Sequence, residues 1–456
     1  MPRKLVLALL LLLSGGAAAA TDTHEYTLPN GLKLIVREDH RAPVVTSQVW
    51  YKIGANYEHD GITGVSHALE HMMFKGTHDH PAGEFSRIIA ANGGRENAFT
   101  GRDYTAYFQE LEKSRLPVSF ELEADRMRNL LLPPAEFAKE IKVVMEERRL
   151  RTEDDPQSQT YEQFLATAFL SSPNRIPVIG WMDDLRNLHV EDVRDWYKLW
   201  YAPNNATLVV AGDVQPDAVY ALAKRYFGPL KAEKLPPIKP RNELPQLGQR
   251  RILVKVPAQL PYLIMGYKTP VLRTASAPTE AYALEVLSGI LDGGESARLS
   301  SRLVRGTQVA AQVDAGYDLY ERLDGLFLLD GVPAQGHTVA DLEKALRNEV
   351  QQLRDAPVST AELERVKAQV VANAVYQRDS VFNQAMQIGR VETVGLDWRV
   401  LDEYPQRIRA VTAAQVQQVA RKYLVDDGLT VAELSPLPVD PKHPPHPGMG
   451  GGENVR

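Results

Sequence analysis

The chain contains no cysteine. Disulfides are therefore excluded, so stability has to come from core size, and zinc held by thiolate is excluded too, leaving histidine and carboxylates as ligands. Long apolar runs are also missing. The longest, residues 5–13, is about half of the roughly 20 residues that a spanning helix needs. No long basic run is present, and the net charge of −6 argues against nucleic acid as the main partner. What remains is a composition with 44% hydrophobic and 24% charged residues, that of a soluble globular protein. At 456 residues the chain exceeds one ordinary core, so two or three domains are expected.

The N-terminus reads as a targeting segment. Arg3 and Lys4 precede the apolar stretch, and small residues fill 15–20. This is the pattern of a secretory signal spanning 1–20, cleaved after Ala20, with a retained anchor as the competing reading. An exported, cysteine-free chain with such a signal is expected in a bacterial periplasm.

One stretch carries the chemistry: His67-Ala68-Leu69-Glu70-His71. Its Ala, Leu and Met surroundings predict a helix, with Thr63 as N-cap. Residues i and i+4 share a helical face, so His67 and His71 can aim at one point. Glu70 lies beside that point without having to bind there. Two imidazoles and a carboxylate so spaced suit one zinc ion per chain and an activated water, in the inverted zincin order H-x-x-E-H.

Around the motif, hydrophobic periodicity and turn signals predict a hairpin at 25–36 turned by Asn30-Gly31, and strands at 44–53, 96–100, 104–108 and 206–211. Helices are predicted at 85–91, 114–131, 134–152, 161–170, 190–200 and 216–227. Residues 228–248 are proline-rich without periodicity, a linker. Strands then recur at 251–256, 262–267, 309–320, 325–332 and 429–434. Helices recur at 278–291, from 296, and at 339–354, 360–379, 381–393 and 413–423. From Pro436 the tail reads as disordered. The halves repeat one order of elements, and alignment sets Ala283-Leu284-Glu285 on Ala68-Leu69-Glu70, with Tyr282 and Val286 where the histidines stand. The reading is a duplicated fold with one metal site, and Glu285 on a helix surface.

A catalytic zinc takes three protein ligands. On the helix from Pro134, with Phe137 at 0°, Glu140 and Glu147 fall near 300° and 280°, inside an apolar arc that also takes Val144, Val143 and Leu150. A carboxylate in such an arc must be paired or bound to metal. The two lie about 10 Å apart along the axis, so one is a ligand and the other supports it. The helical wheel leaves open which, and leaves open that both pair with arginine.

These residues resemble the pitrilysin/insulinase peptidases, in the shorter class that includes the mitochondrial processing peptidase. The resemblance rests on Gly54-Ala55, His67 to Thr77, Asn97-Ala98-Phe99-Thr100, Asp103 to Tyr107, the run Val143 to Pro156, Tyr201 to Thr207 and Gly293-Gly294-Glu295-Ser296. It implies an α+β chain of two homologous, duplicated domains, each a mostly antiparallel sheet packed with helices, the LuxS/MPP-like metallohydrolase fold. The zinc-binding domain would span 21–230, the linker 231–249, a metal-free domain 250–436 and a tail 437–456. It implies Glu147 as third ligand, Glu140 as a second functional carboxylate and Glu70 as general base. It implies that Asn97, Ala98, Phe99 and Thr100 form an edge strand onto which an extended peptide adds. Relatives supply an Arg and a Tyr from the second half to hold substrate. Here Ala311 stands at the Tyr position, with Tyr317 and Tyr320 as the nearest substitutes, so a dimer with a zinc-lacking relative is expected. The competing reading is a non-catalytic subunit of the same fold.

Overall fold

Strands with apolar residues on both faces must be covered twice. The computed structural model describes residues 23–439. In the first half, β1 (Thr23–Thr27), β2 (Lys33–Glu38), β3 (Val44–Tyr51), β4 (Arg95–Thr100), β5 (Thr105–Glu112) and β6 (Ala206–Gly212) form one sheet ordered β1-β2-β6-β3-β5-β4. Its helices are α1 (Val65–Met72), α2 (Glu84–Ala91), α3 (Leu116–Asn129), α4 (Pro134–Arg148), α5 (Pro156–Ala168), α6 (Met182–Asn187), α7 (Val190–Trp200) and α8 (Pro216–Tyr226). In the second half, β7 (Arg250–Pro257), β8 (Tyr262–Thr269), β9 (Ala310–Tyr317), β10 (Gly325–Pro333) and β11 (Leu429–Leu437) are ordered β7-β11-β8-β10-β9. Its helices are α9 (Pro278–Asp292), α10 (Val339–Asp355), α11 (Thr360–Gln377), α12 (Val381–Thr393), α13 (Arg399–Ala410) and α14 (Ala413–Tyr423).

The duplication is visible strand by strand. β2-β6-β3-β5-β4 matches β7-β11-β8-β10-β9, and in each sheet the first pair is parallel while the others run antiparallel. β1 is added outside this common pattern. β4 and β9 are the corresponding edges.

Each sheet is covered on one face by its own half and on the other by a helix from the opposite half. Alternate residues of β3, β5 and β6 (Val45, Val49, Tyr51, Tyr107, Leu208, Val210) pack with α1, α3 and α7. The intervening ones (Trp50, Ala106, Phe108, Val209, Ala211) pack with Ala385, Ile388 and Val391 of α12. Reciprocally, Phe164, Leu165 and Ala168 of α5 lie on Ile264 and Ala432 of the second sheet. Both contacts require glycine. A Cβ on Gly389 would come within 2.1 Å of the Trp50 ring, and one on Gly266 within 2.5 Å of Phe164.

Several sequence-based expectations need correction. α5 starts at Pro156, not 161, because Asp155 caps it by accepting from the amides of Gln157 and Ser158 at 2.9 and 3.3 Å. α6 and α13 have no counterpart in the sequence reading. The former has only six residues, and the latter carries Pro405 in its interior, which reads in sequence as a helix breaker. β11 continues through Pro436 to Leu437, paired in parallel with β7. The expected signal at 1–20 and the tail from 440 lie outside the described residues. Among those described, no helix is long and apolar enough to cross a membrane.

Candidate metal centre

Every residue of α1 is buried, so its two imidazoles sit in a fixed frame. Gly64, at φ 85°, is its N-cap and offers no side chain. Thr63 is not the cap. Its hydroxyl donates to Asp184 of α6 at 2.5 Å and accepts from the amide of Trp181 at 2.9 Å. The amides of Gly64 and Ser66 donate instead to Glu58, at 2.7 and 2.8 Å. Sequence reading missed Glu58 because a carboxylate in a polar loop carries no periodic signal.

α4 crosses α1 and brings its carboxylates to the histidines. Glu147 lies 3.6 Å from His67 Nε2 and 3.3 Å from His71 Nε2. The ligating atoms of His67, His71 and Glu147 all lie within 4.8 Å of one another, the one such group among the described residues. Donors about 2.0–2.1 Å from a tetrahedral zinc stand roughly 3.3 Å apart, so the distances from Glu147 to the two imidazoles fit. Two imidazoles and one carboxylate also match the donor set of a zinc with one open position.

Glu140 holds the other side of His71, 3.0 Å from Nδ1, and pairs with Lys75 at 2.6 Å. A carboxylate only accepts, so the Glu140 contact puts the proton on Nδ1 and leaves Nε2 as the ring atom for a metal held between it and Glu147. The His71 contact first, then Lys75, holds the Glu140 carboxyl down at about 2 against the opposing effect of burial. Arg151 approaches Glu147 at 2.9 Å. Val143 and Leu150, expected on the buried arc, are 48% and 51% exposed. The arc is narrower than the wheel implied: only Phe137, Val144 and Arg148 of α4 are buried, the last doubly bonded to Glu162. Both glutamates sit at the edge of that arc.

Glu70 points to the edge strand, where Thr100 Oγ1 donates to its Oε2 at 2.5 Å. Ala98 and Thr100 face α1, whereas Phe99 is turned to the opposite face against Trp50, at 5.2 Å between ring centroids. Asn97 accepts from the amide of Ala98 at 2.8 Å. Beneath the site lies Arg126, fully buried, paired with Glu123 and ringed by Phe74, Phe85 and Tyr107. His80 is bound to Asp125 at 2.8 Å, away from the cluster.

In the second half Glu285 occupies the place of Glu70 but not a surface. It lines a cavity of about 730 Å³ with Asp292, Tyr317, Tyr320 and Glu321. Tyr404 donates to it at 2.9 Å, and burial pushes its carboxyl up to about 7. Tyr282 and Val286, where the histidines would stand, are buried apolar packing. Tyr317 donates its hydroxyl to Pro270 O at 2.7 Å, and Ala311 is exposed on β9.

Known proteins share both the sequence and this architecture. The family model described as Insulinase (Peptidase family M16) matches residues 33–180, and that described as Peptidase M16 inactive domain matches 187–370. A Helicobacter pylori protein named Zinc protease PqqE is 33% identical over 415 residues, covering 90% of this chain and 92% of that protein. The crystal structure of a protease from Helicobacter pylori superposes with a TM-score of 0.86 at 31% identity, over 91% of this chain and all of the other. The periplasmic protease PqqL from Escherichia coli has the same fold (TM-score 0.77, 18% identity), with 93% of this chain covering 49% of that one.

Proposed function

Because the chain belongs to the insulinase family of peptidases, M16, we propose that it is a zinc-dependent metalloendopeptidase acting on extended peptides or unfolded protein segments. The observation that carries this reading is the convergence of His67, His71 and Glu147 from two helices, with Glu70 alongside. His67, His71 and Glu147 would hold one zinc per chain. When bound, the metal supplies Lewis acidity at the scissile carbonyl and acidifies water. Glu70 takes the proton from the attacking water and hands it to the leaving nitrogen. Glu140 keeps His71 in the tautomer that binds metal.

Substrate would lie along the free edge of β4, its main chain bonded to the backbone at Asn97, Ala98, Phe99 and Thr100. With Phe99 turned into the interface with α12, selection would fall on backbone more than side chain. Residues 21–230 and 250–436 would be the two domains, joined by 231–249. Export to the periplasm is supported by the pattern at 1–20, and PqqL of Escherichia coli, which has the same fold, is a periplasmic protease. A zinc-lacking partner of the same family would supply the Arg/Tyr pair, because Ala311 offers no hydroxyl and that of Tyr317 is committed to its own half. The intact donor set is what favours catalysis over a purely structural subunit.

The test is digestion of an unstructured peptide by wild type and Glu70→Gln, with and without chelator, alongside zinc analysis. Chelator-sensitive cleavage lost in the variant, with zinc retained, is expected. Unchanged hydrolysis in Glu70→Gln defeats the mechanism, and loss of zinc would make Glu70 a ligand.

A further inference from the structure

Glu58 is fully buried, yet it is no part of the donor cluster. Both of its carboxylate oxygens are spent on the start of α1, one on the amide of Gly64 and one on that of Ser66. Amides in the first turn of a helix have no partner within it and carry partial positive charge. Helices commonly meet this need with the residue at the N-cap. Asp155 does so for α5, and Thr338 for α10. Gly64 cannot, so the metal-bearing helix borrows its cap from a loop six residues upstream. Burial opposes the charge on Glu58 and pushes its carboxyl up to about 7, while the two amides pull it back.

The loop that carries Glu58 is itself anchored. Arg241, in the segment between the two sheets, donates to the carbonyl of Glu58 at 2.7 Å. Two residues along, Glu243 accepts from the amides of Leu170, Ser171 and Ser172 and pairs with Lys268 of β8 at 2.7 Å. A continuous polar path therefore runs from the second sheet through 241–243 and Glu58 to α1. His67 follows Ser66 directly, and α1 is only eight residues long. Any shift of its first turn is carried to both imidazoles.

We propose that Glu58 is a positioning residue of the metal centre, setting the place and tilt of α1 so that His67 and His71 meet Glu147, with Arg241 tying that setting to the second half. The proposal rests on His67, His71 and Glu147 being the ligands. It concerns where they are held, not what they do.

The experiment compares the full chain as wild type, Glu58→Gln, Arg241→Ala and Asp155→Asn. Zinc affinity is measured by competition with a chromophoric chelator. Visible absorption of the cobalt-substituted protein and thermal midpoints are recorded alongside. In Glu58→Gln an NH2 group meets an amide N–H where an oxygen had accepted. Zinc affinity should fall about tenfold or more, and the cobalt bands should shift. Asp155→Asn removes the charge at a remote cap but keeps the Oδ1 that accepts from both amides, so it should leave affinity and bands at wild-type values with at most a small fall in the thermal midpoint. Arg241→Ala should move both in the direction of Glu58→Gln, by less. If Glu58→Gln does not fold, Arg241→Ala decides: values equal to wild type overturn the proposal. So does Glu58→Gln with wild-type affinity and bands, or Asp155→Asn with an equal loss. A wild type that takes up no metal defeats the ligand assignment itself, a different failure from a variant that matches a metal-binding parent.

Discussion

His71 shows how much one side chain depends on its neighbours. Nε2 faces Glu147 while Nδ1 faces Glu140, and His71 first, then Lys75, keep Glu140 charged. Removing the accepting charge without removing bulk should loosen the metal but not abolish its binding. Glu140→Gln is expected to weaken zinc about 10–100-fold, read by chelator competition. Glu70→Gln should keep zinc and lose about 10²–10⁴ in kcat, read by peptide digestion with metal analysis of the same sample. At this scale the sequence was partly legible. Histidines at i and i+4 announce themselves, and the wheel singled out Glu140 and Glu147 although it misjudged Val143 and Leu150. Glu58, Asp184 and Arg126 were invisible because Glu58 sits in a polar loop without periodicity, while Asp184 and Arg126 act on Thr63 and on the Phe74 ring, far along the chain.

Elements were easier to read than their partners. Periodicity located α1, α4 and α12, and the common order of strands pointed to duplication. Which helix covers which sheet is written in no periodicity, since the apolar face of α12 would suit either sheet. Only shape complementarity decides, and it is concentrated at Gly389 over Trp50 and Gly266 over Phe164. An added methyl at Gly389 meets a ring that is packed on all sides. Gly389→Ala should therefore destabilise by about 1–3 kcal/mol or more, measured as a lower urea midpoint with the metal ligands untouched.

Across the whole molecule the two halves are joined by helix exchange and by a charged clasp. Burial disfavours ionised Glu243, but Lys268 and three amides overcome it and hold the carboxyl at about 2, below the usual 4.5. A depressed carboxyl contributes stability that is complete above about pH 4.5 and is lost as pH falls toward 2. Glu243→Gln should lower the thermal midpoint at pH 7, with a deficit on the order of 2 kcal/mol. The gap to wild type should close as calorimetry is repeated from pH 4.5 downward. The first half made alone, residues 23–230, should fail to form a monodisperse fold, because Trp50, Phe108 and Val209 lose their cover. Size exclusion and dye binding would report this. The exchange also bears on how such a gene can change over time. A chain emerging N-terminus first leaves the Trp50 face wet until residues 381–393 arrive, when nearly everything has been made, so the early intermediate is exposed to misassembly throughout. The second half thus works as a built-in folding partner. A lineage that discarded it would lose the half that carries the cluster of His67, His71 and Glu147 with it.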